Sequence, residues 1–365
     1  MKILLLSVGS LLGQGMLDVF EGRRVDFQLI GANSEAESVN NFRCDRTYLL
    51  PETASGEAYT TAFTKLIQRE QPQLILPGRD ADVVFLARYR EAHPAWQQAI
   101  PCGSAHVAET IADKHHCFLW AQARSLPFAK SFLYHPGDEA ALQHFVNHVN
   151  FPLVAKPRHG FGSRGVLFVE NLEDVVRLGE SGSVFLQEYL GDPASLNPYF
   201  ERYRQGMPLF FQVPETRQFA AQGLIDPQGQ IGDVFCSLST MVMGRTERFE
   251  EVHIPELRTL FLRYARALRD AGWQGMVNVQ AKPSHATGLW KAFELGLRMS
   301  GGTSSRLLLG FDEMHHLMTA FYANVNFPQR LPIEADVIYP GFYNRGLNQA
   351  QVQQLKKAKY IECPS

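Results

Sequence analysis

The first hundred residues alternate short apolar runs with amphipathic segments, and this alternation constrains the fold more than any other feature. Residues 3–8 form a short, mainly apolar run, as expected of a strand buried on both faces of a parallel sheet. A helical pattern follows at residues 16–20. Further strands are predicted at residues 25–30 and 74–76, with a helix between them at 58–69. This β-α-β rhythm predicts an α/β fold that opens with a Rossmann-like, doubly wound parallel sheet.

Composition excludes several classes of protein. The chain has 365 residues, 45% of them hydrophobic and 20% charged, which is enough apolar material for packed cores and argues against disorder. Lys+Arg and Asp+Glu nearly balance, with a net charge of −2, so no broad basic surface for nucleic acid or for an anionic membrane is expected. The five cysteines are scattered without a Cys-x-x-Cys pair, which argues against a disulfide framework or a structural zinc site and favours a reducing cytoplasm.

Neither a membrane span nor a secretory leader is expected. No stretch approaches the ~18 apolar residues of a transmembrane helix. The apolar start is interrupted by Ser7, Gly9 and Ser10, and no small-residue cleavage site follows. We therefore interpret it as a buried first strand rather than a signal peptide.

Changes in hydrophobic periodicity and in composition along the sequence divide the chain into four parts. We predict an N-terminal Rossmann-like domain over residues 1–103 and a second unit over residues 104–190, which includes a helix at 106–123. The pattern loses its periodicity at residues 191–217, interpreted as an inserted loop or cap. Residues 191–327 complete the second unit, and residues 328–365 form a C-terminal tail with a polar helix.

One lysine at the end of a predicted strand is the strongest local sign of phosphate binding. Lys156 ends the run Leu153–Lys156, and residues 160–165 form a glycine-rich loop directly after it. Glycines let backbone N–H groups approach phosphate oxygens, and a lysine neutralises their charge. A Lys-Pro pair before a flexible hairpin is also common without a ligand. The chain contains no Gly-Lys pair, so it has no P-loop of the common type.

A second constellation lies on two neighbouring strands near residue 290. Because strand side chains alternate, Glu294, Gly296 and Arg298 are predicted to share one face. A carboxylate suits Mg²⁺, and a guanidinium suits a phosphoryl group. Asn278 and Gln280 share a face of the preceding strand, where Gln280 could add an oxygen ligand. A cross-strand salt bridge is the alternative interpretation.

A glycine turn at residues 300–302 leads into a helix that begins near Thr303. Its N–H groups could cradle a carboxylate or a phosphate, while Thr303 or Ser304 could equally be an ordinary helix cap.

Taken in order, these segments resemble the ATP-grasp superfamily, and in particular one synthetase half of the carbamoyl-phosphate synthetase large subunit and the stand-alone carboxylate–amine ligases. The resemblance covers residues 1 to about 325. The motifs that carry it are Leu12-Gly13-Gln14-Gly15 with Asp18, Ala112-Asp113-Lys114, residues 151–157 with their glycine loop, Gln187-Glu188-Tyr189-Leu190-Gly191, residues 275–280 and residues 294–302.

The resemblance implies a role for each matching residue. Lys114 and Lys156 would contact ATP phosphates, helped by the lid residues Gly162, Ser163 and Gly165. Gln187 and the backbones of Glu188 and Leu190 would line the adenine site. Gln280 and Glu294 would hold Mg²⁺, or alternatively Mn²⁺, and Arg298 would grip the transferred phosphoryl group. The implied reaction phosphorylates a carboxylate to an acyl phosphate, which an amine then attacks.

Two positions depart from the family pattern. Gly296 replaces the asparagine that usually shares the metal, and Gln218 stands where a ribose-binding glutamate is usual. Substrate contacts are predicted from the residues alone. Arg79 and Asp80 follow a parallel strand at the sheet edge where ligands bind, although helix capping by Asp80 and solvation of Arg79 would explain them equally well.

Further carboxylate contacts are assigned to Arg245, Thr303 and Arg306. The main hypothesis is an ATP-dependent ligase that forms an amide or peptide-like bond between small-molecule carboxylate and amine substrates, amino-acid-like in kind. Carbamoyl-phosphate-type or kinase-like phosphorylation of a small acid is one alternative, and a non-catalytic nucleotide-binding protein is another. Neither nucleic acid nor membrane is an expected partner, and a homodimer is compatible with this function.

Overall fold

The computed structural model describes residues 1–363 apart from 25, 160–164, 207–216, 243–244, 323, 331 and 342–345. The strands are β1 (Lys2–Leu5), β2 (Gln28–Asn33), β3 (Arg46–Leu49), β4 (Leu74–Leu76), β5 (Ser131–Tyr134), β6 (Leu153–Lys156), β7 (Leu167–Val169), β8 (Val184–Glu188), β9 (Arg217–Ile225), β10 (Phe235–Val242), β11 (Arg245–Glu251), β12 (Gly275–Pro283), β13 (Trp290–Gly296), β14 (Val337–Ile338) and β15 (Tyr360–Glu362). The helices are α1 (Leu11–Phe20), α2 (Glu57–Glu70), α3 (Asp80–Ala92), α4 (Ala105–Ala112), α5 (Lys114–Ala123), α6 (Glu139–Val149), α7 (Leu172–Gly179), α8 (Asn197–Arg204), α9 (Pro255–Asp270), α10 (Thr303–Leu308), α11 (Glu313–Phe321) and α12 (Gln349–Ala358).

The N-terminal sheet confirms the predicted parallel architecture. Its strand order is β15-β3-β2-β1-β4, and β1 pairs in parallel with β2 and with β4. Ile3, Leu4 and Leu5 are fully buried, because helices cover both faces of this sheet. The apolar start of the chain is therefore a strand, as predicted.

The middle of the chain forms a four-stranded antiparallel sheet in the order β5-β8-β6-β7. One face packs on α6 and α7 through a cluster that includes Leu142, Leu153, Val175 and Leu186. The strand that carries Lys156 was predicted, whereas β5, α6 and α7 were not.

A six-stranded sheet in the order β13-β12-β9-β10-β11-β14 follows. Its apolar face packs on α9, where Phe261 and Tyr264 lie against Val277 and Val279. Side chains alternate along a strand, so the opposite face carries Gln222, Asn278, Gln280 and Glu294 (residues that the register aligns across β9, β12 and β13). β9 and β10 pair antiparallel as a hairpin, and β11 extends it by a third antiparallel strand.

The predicted single helix over residues 106–123 is wrong, since it breaks at Asp113. The Asp113 carboxylate accepts hydrogen bonds from the N–H groups of His115 and His116, so it caps a new helix, α5. The helix predicted to begin near Thr303 is likewise interrupted. α10 ends at Leu308, and Asp312 caps the following helix, α11, by accepting from the His315 N–H.

The C-terminal tail returns to the N-terminal sheet. β15 pairs antiparallel with β3, and Val352, Leu355 and Ile361 are buried against that edge. The polar helix that the sequence predicted is α12. Among the residues that the structure describes, no helix is both long and apolar enough to cross a membrane.

Candidate functional site

Lys156 lies at the end of β6 with only 8% of its surface exposed. Its Nζ donates a 2.6 Å hydrogen bond to Oε1 of Gln187 on β8. Burial lowers the pKa of Lys156 to about 8; the charge of Glu294 opposes this effect, while Lys114 and Lys282 add to it. These charges come from α5, β12 and β13, so three different elements contribute to the electrostatic environment of Lys156.

Gln187 connects the two antiparallel sheets. Its Nε2 donates to Oγ of Ser131 at 3.2 Å and to the backbone oxygen of Phe293 on β13 at 3.3 Å. Two ammonium groups lie near the Phe293 ring, whose centroid is 5.3 Å from Nζ of Lys156 and 5.9 Å from Nζ of Lys282. Lys282 is two residues after Gln280 on β12, so alternation along the strand predicts that the two share a face. Lys282 was nevertheless not among the predicted site residues.

The Asp113-Lys114 motif lies beside the start of the glycine-rich loop. The Asp113 carboxylate accepts from Nε of Arg158 at 2.7 Å, and the Lys114 N–H donates to the Arg158 backbone oxygen at 3.4 Å. Burial raises the pKa of Asp113, but hydrogen bonds from His116 and Arg158 outweigh burial and lower it. The motif therefore holds the strand end from which the loop departs.

The predicted lid residues are Gly162, Ser163 and Gly165. Gly162 and Ser163 lie outside the described residues. Gly165 has a φ of +72°, and a Cβ there would lie 2.8 Å from the Pro157 ring. That position therefore requires glycine.

The hinge, residues 188–190 at the end of β8, forms some of its backbone hydrogen bonds within the protein. The Glu188 N–H donates to the Lys130 oxygen at 2.8 Å, and the Leu190 oxygen accepts from the His285 N–H at 2.8 Å. The Glu188 carboxylate accepts from the Lys130 N–H and from Nζ of Lys291, both at 2.7 Å. The Lys130 N–H thus bonds to the Glu188 side chain rather than to the Glu188 carbonyl, as a ladder pair would. Among the described residues, these bonds do not engage the carbonyl of Glu188 or the N–H of Leu190.

The predicted metal residues face each other on adjacent strands. Gln280 lies directly opposite Glu294, and Asn278 lies directly opposite Gly296. A Cβ at Gly296 would meet only ordinary contacts, with the nearest atom, Nη1 of Arg298, at 3.7 Å. The pair offers a carboxylate and an amide oxygen, both suited to Mg²⁺. No group of three or more His, Cys, Asp or Glu side chains with metal-binding geometry occurs within the described part of the chain.

Two glutamines lie on the same polar face. Oε1 of Gln222 accepts from Nδ2 of Asn278 at 2.8 Å, and Nε2 of Gln222 donates to the Arg298 oxygen at 3.3 Å. Gln218, at the position where the resemblance expects glutamate, has a buried Oε1 without a hydrogen-bond partner among the described residues. Since unpaired buried acceptors are costly, this oxygen is suited to accept from a ligand hydroxyl.

Arg298 is held by an ion pair with a residue of the N-terminal part of the chain. Its Nη2 lies 2.8 Å from Oδ2 of Asp80 at the start of α3, and its Nη1 donates to the Met299 oxygen at 3.2 Å. Only 13% of the Arg298 side chain is exposed. The predicted substrate residue Asp80 and the predicted phosphoryl-binding residue Arg298 are therefore neighbours, although 218 residues separate them.

Arg79 lies beside this ion pair. Its Nε donates to Oγ of Ser7 at 2.7 Å, and its Nη1 lies 3.4 Å from the Glu52 carboxylate. The buried Asp82 carboxylate accepts from the N–H groups of Gly78 and Arg79, both at 3.0 Å, and fixes the turn. Ser7 has a φ of +48°, a left-handed conformation that is uncommon for a serine. Sequence analysis did not place Ser7 in the site, and nothing local in the sequence indicates its contact with Arg79.

Thr303 and Arg306 were predicted to contact substrate, but both side chains are buried and bond to other residues of the protein. Each is 1% exposed. Arg306 forms an ion pair with Glu313 through Nε, and its Nη2 donates to Oγ of Ser300 at 2.7 Å. Oγ1 of Thr303 donates to the Glu313 carboxylate at 2.7 Å. These bonds fix the glycine turn that follows Arg298.

Arg245, the remaining predicted substrate residue, begins β11 and lies 3.3 Å from the Glu247 carboxylate on the sheet surface.

Solved structures share this architecture. An N5-carboxyaminoimidazole synthetase from Staphylococcus aureus complexed with ADP matches with a TM-score of 0.66 and 11% identity, over 91% of this chain and 78% of that one. An L-amino acid ligase from Bacillus licheniformis matches with a TM-score of 0.63 and 14% identity, over 88% and 74%. A biotin carboxylase–β-γ-ATP complex from Campylobacter jejuni matches with a TM-score of 0.63 and 15% identity, over 90% and 72%.

The chain has the ATP-grasp fold. In sequence, neither a protein-family model nor a curated protein matches it. In this ATP-grasp chain the Lys156 face of the four-stranded sheet and the polar face of the six-stranded sheet meet at Gln187 and Phe293, and Arg298 joins them to the N-terminal sheet through Asp80.

Proposed function

We propose that the chain is an ATP-dependent carboxylate–amine ligase that forms an amide or peptide-like bond between small, amino-acid-like substrates. The observation that carries the proposal is the buried Lys156 at the junction of the two sheets, with its pKa lowered by burial and opposed by the charge of Glu294. A lysine held in this way suits a polyanionic ligand. ATP-grasp neighbours crystallised with ADP or an ATP analogue support a nucleotide as that ligand.

In this proposal the site divides the work among three groups. Lys114 and Lys156 hold the ATP phosphates, and Arg298 stabilises the phosphoryl group in transfer. Gln280 and Glu294 supply oxygen ligands for Mg²⁺, which keeps several waters and phosphate oxygens besides its protein ligands. When bound, Mg²⁺ neutralises phosphate charge. Positioning and charge neutralisation, rather than covalent chemistry, supply most of the rate in phosphoryl transfer.

The proposed reaction has two balanced steps. A carboxylate oxygen attacks the γ-phosphorus of ATP, which gives an acyl phosphate and ADP. An amine then attacks the acyl carbon, phosphate leaves, and the nitrogen loses a proton. Asp80 pairs with Arg298, and Arg79 precedes Asp80 in the chain. In this proposal Arg79 holds the carboxylate and Asp80 the amine of an amino-acid-like substrate.

The test is ADP release from MgATP with a library of amino acids and small acids, followed by mass spectrometry of the product. Glu294→Gln should lose substrate-dependent ADP release while still binding ATP, because it removes a metal carboxylate. Glu256→Gln, an exposed change in the first turn of α9, is the matched control. The proposal would be contradicted if no acid or amino acid of the library increased ADP release by the wild type. It would also be contradicted if the Glu294→Gln variant kept the normal Mg²⁺ dependence of ADP release.

A non-catalytic nucleotide-binding protein is the second candidate. The donor set favours it, since Gly296 stands where the family pattern has an asparagine and Gln218 stands where it has a glutamate. Nucleotide binding with no acyl phosphate formed on any acid of the library would select this alternative.

A further inference from the structure

The segment that follows the hinge packs on the four-stranded sheet. This capping segment comprises a short turn, Pro193–Leu196, and α8, Asn197–Arg204. Leu196, Tyr199 and Phe200 are 0%, 5% and 4% exposed and form a cluster with Phe168. The Tyr199 ring meets the Phe168 ring edge-on at 5.5 Å, and the Tyr199 hydroxyl accepts from the Phe168 N–H at 3.4 Å.

The capping segment lies on the same face of that sheet as Lys156. Val154 is opposite Gln187 on β8 and opposite Phe168 on β7. Directly opposite residues point to the same side of a sheet, and so do residues two apart on one strand. Lys156 therefore shares its face with Val154 and Phe168, both in the cluster that the capping segment covers.

The hinge is covered as well. The Tyr189 ring lies edge-on against Phe168 at 5.5 Å, and its hydroxyl lies 3.1 Å from Oγ of Ser195. Val154 is two residues before Lys156, which is about 7 Å along a strand. A nucleotide with phosphates at Lys156 and its base near the hinge must lay that base over this surface.

We infer that the capping segment is an autoinhibitory element that occupies the base side of the nucleotide cleft and is displaced when a nucleotide binds. The inference rests on the proposed nucleotide function. Displacement breaks the apolar contacts of Tyr199 and Phe200 and the buried hydrogen bond from the Phe168 N–H, whereas the ion pair at the end of α8 lies at the surface. Arg204 pairs with Glu170 at 2.7 Å with 61% of the Arg204 side chain exposed, and such surface pairs contribute little.

If the docked segment excludes the base, only molecules in the open state bind the nucleotide. The apparent affinity then equals the intrinsic affinity multiplied by the fraction of open molecules. The docked segment acts only on ligands that carry a base. Inorganic tripolyphosphate, which reaches Lys156 without a base, should bind independently of the capping segment.

The first experiment uses the wild-type chain. Limited trypsin digestion, with cleavage sites identified by mass spectrometry, measures exposure of Arg202 and Arg204 in α8. Saturating MgADP should accelerate cleavage at these residues several-fold, and tripolyphosphate should not. Slower cleavage or no change with MgADP at saturation would overturn the inference.

The second experiment weakens the docking contacts. The double change Tyr199→Ala and Phe200→Ala should increase MgADP affinity about tenfold, measured by calorimetry, with tripolyphosphate affinity unchanged. Glu201→Ala, on the exposed side of the same helix, is the control and should bind as the wild type does. Thermal unfolding checks that each variant is folded.

The sign of the change decides between two roles of the helix. Weaker MgADP binding in the double variant would make α8 a wall of the base pocket, and unchanged binding would make it irrelevant to the base; both overturn the inference and leave the nucleotide function standing. If neither the wild type nor the double variant binds MgADP, the proposed function itself fails, and the inference fails with it.

Discussion

Lys156 shows how one side chain acquires its properties from burial and neighbouring charges. Its strand was predictable, but the low pKa of about 8 arises because burial removes solvent and two other lysines lie near it. A lysine whose pKa is lowered in this way gains its full charge only below about that pH, so its affinity for phosphate depends on pH in the neutral to alkaline range.

Lys156→Ala should weaken ATP binding by about 10- to 150-fold, since a charge-assisted hydrogen bond contributes ~1.5–3 kcal/mol. In the wild type, affinity should decrease as the pH rises from 7 to 9, because the ammonium loses its proton through its pKa of about 8. The variant should lack that decrease. Calorimetry at several pH values measures both effects, with the exposed Lys130→Ala as the control; wild-type affinity in Lys156→Ala would refute the assignment.

Gly296→Asn should be accepted by the fold and should preserve or raise Mg²⁺ affinity. A Cβ at this position meets nothing closer than 3.7 Å, and the amide would add an oxygen beside Glu294. Mg²⁺ titration of nucleotide binding and of ADP release tests this. A loss of activity would show that another group needs this space, and no effect on either quantity would place position 296 outside the site.

At the scale of elements, α4 and α5 show a cap that overrides a helical pattern. The apolar periodicity of residues 106–123 runs on through Asp113, so it predicts one helix. The Asp113 carboxylate instead accepts two N–H groups and pairs with Arg158. The Asp113 side chain thus ends one helix and starts the next, and it also contacts Arg158, which precedes the glycine-rich loop.

Asp113→Ala should lower the free energy of unfolding by about 0.5–2 kcal/mol, the usual contribution of an N-cap, with a further loss from the Arg158 contact. Ser104→Ala is a matched control, because Ser104 occupies the N-cap position of α4 without a side-chain capping bond and should be nearly neutral. Urea unfolding compares the two. Equal effects would contradict the capping role.

At the scale of the whole molecule, the C-terminal residues complete the N-terminal sheet. β15 covers the β3 edge, which would otherwise offer unpaired backbone groups to another chain. The predicted tail therefore pairs with the N-terminal sheet, and its apolar side chains pack at the β3 edge of that sheet.

Leu355→Ala should destabilise the protein by about 2–5 kcal/mol, because Leu355 is fully buried and truncation leaves a cavity. Gln354→Ala, on the exposed side of α12, should change stability little. Thermal unfolding measures both. An equal, small effect of the two changes would show that α12 contributes nothing to the sheet.

The sequence alone determined the features that depend on short-range periodicity. The parallel first sheet, the strand that carries Lys156, and the shared faces of Asn278 with Gln280 and of Glu294 with Gly296 follow from patterns of apolar runs and alternation by two. Alternation is fixed by backbone geometry, so it is readable before any tertiary contact is known. The resemblance to the ATP-grasp superfamily rested on the same local motifs, and the fold confirms it.

Only the tertiary structure decided which residues from distant parts of the chain meet. The pairing of Arg298 with Asp80, the use of Arg306 by Glu313 and the docking of α8 beside Lys156 join segments whose local patterns say nothing about each other. An arginine has the same local signature whether it faces a substrate or a buried glutamate. Packing chooses between the two, because a buried charge must be paired and the apolar side of a helix must be covered.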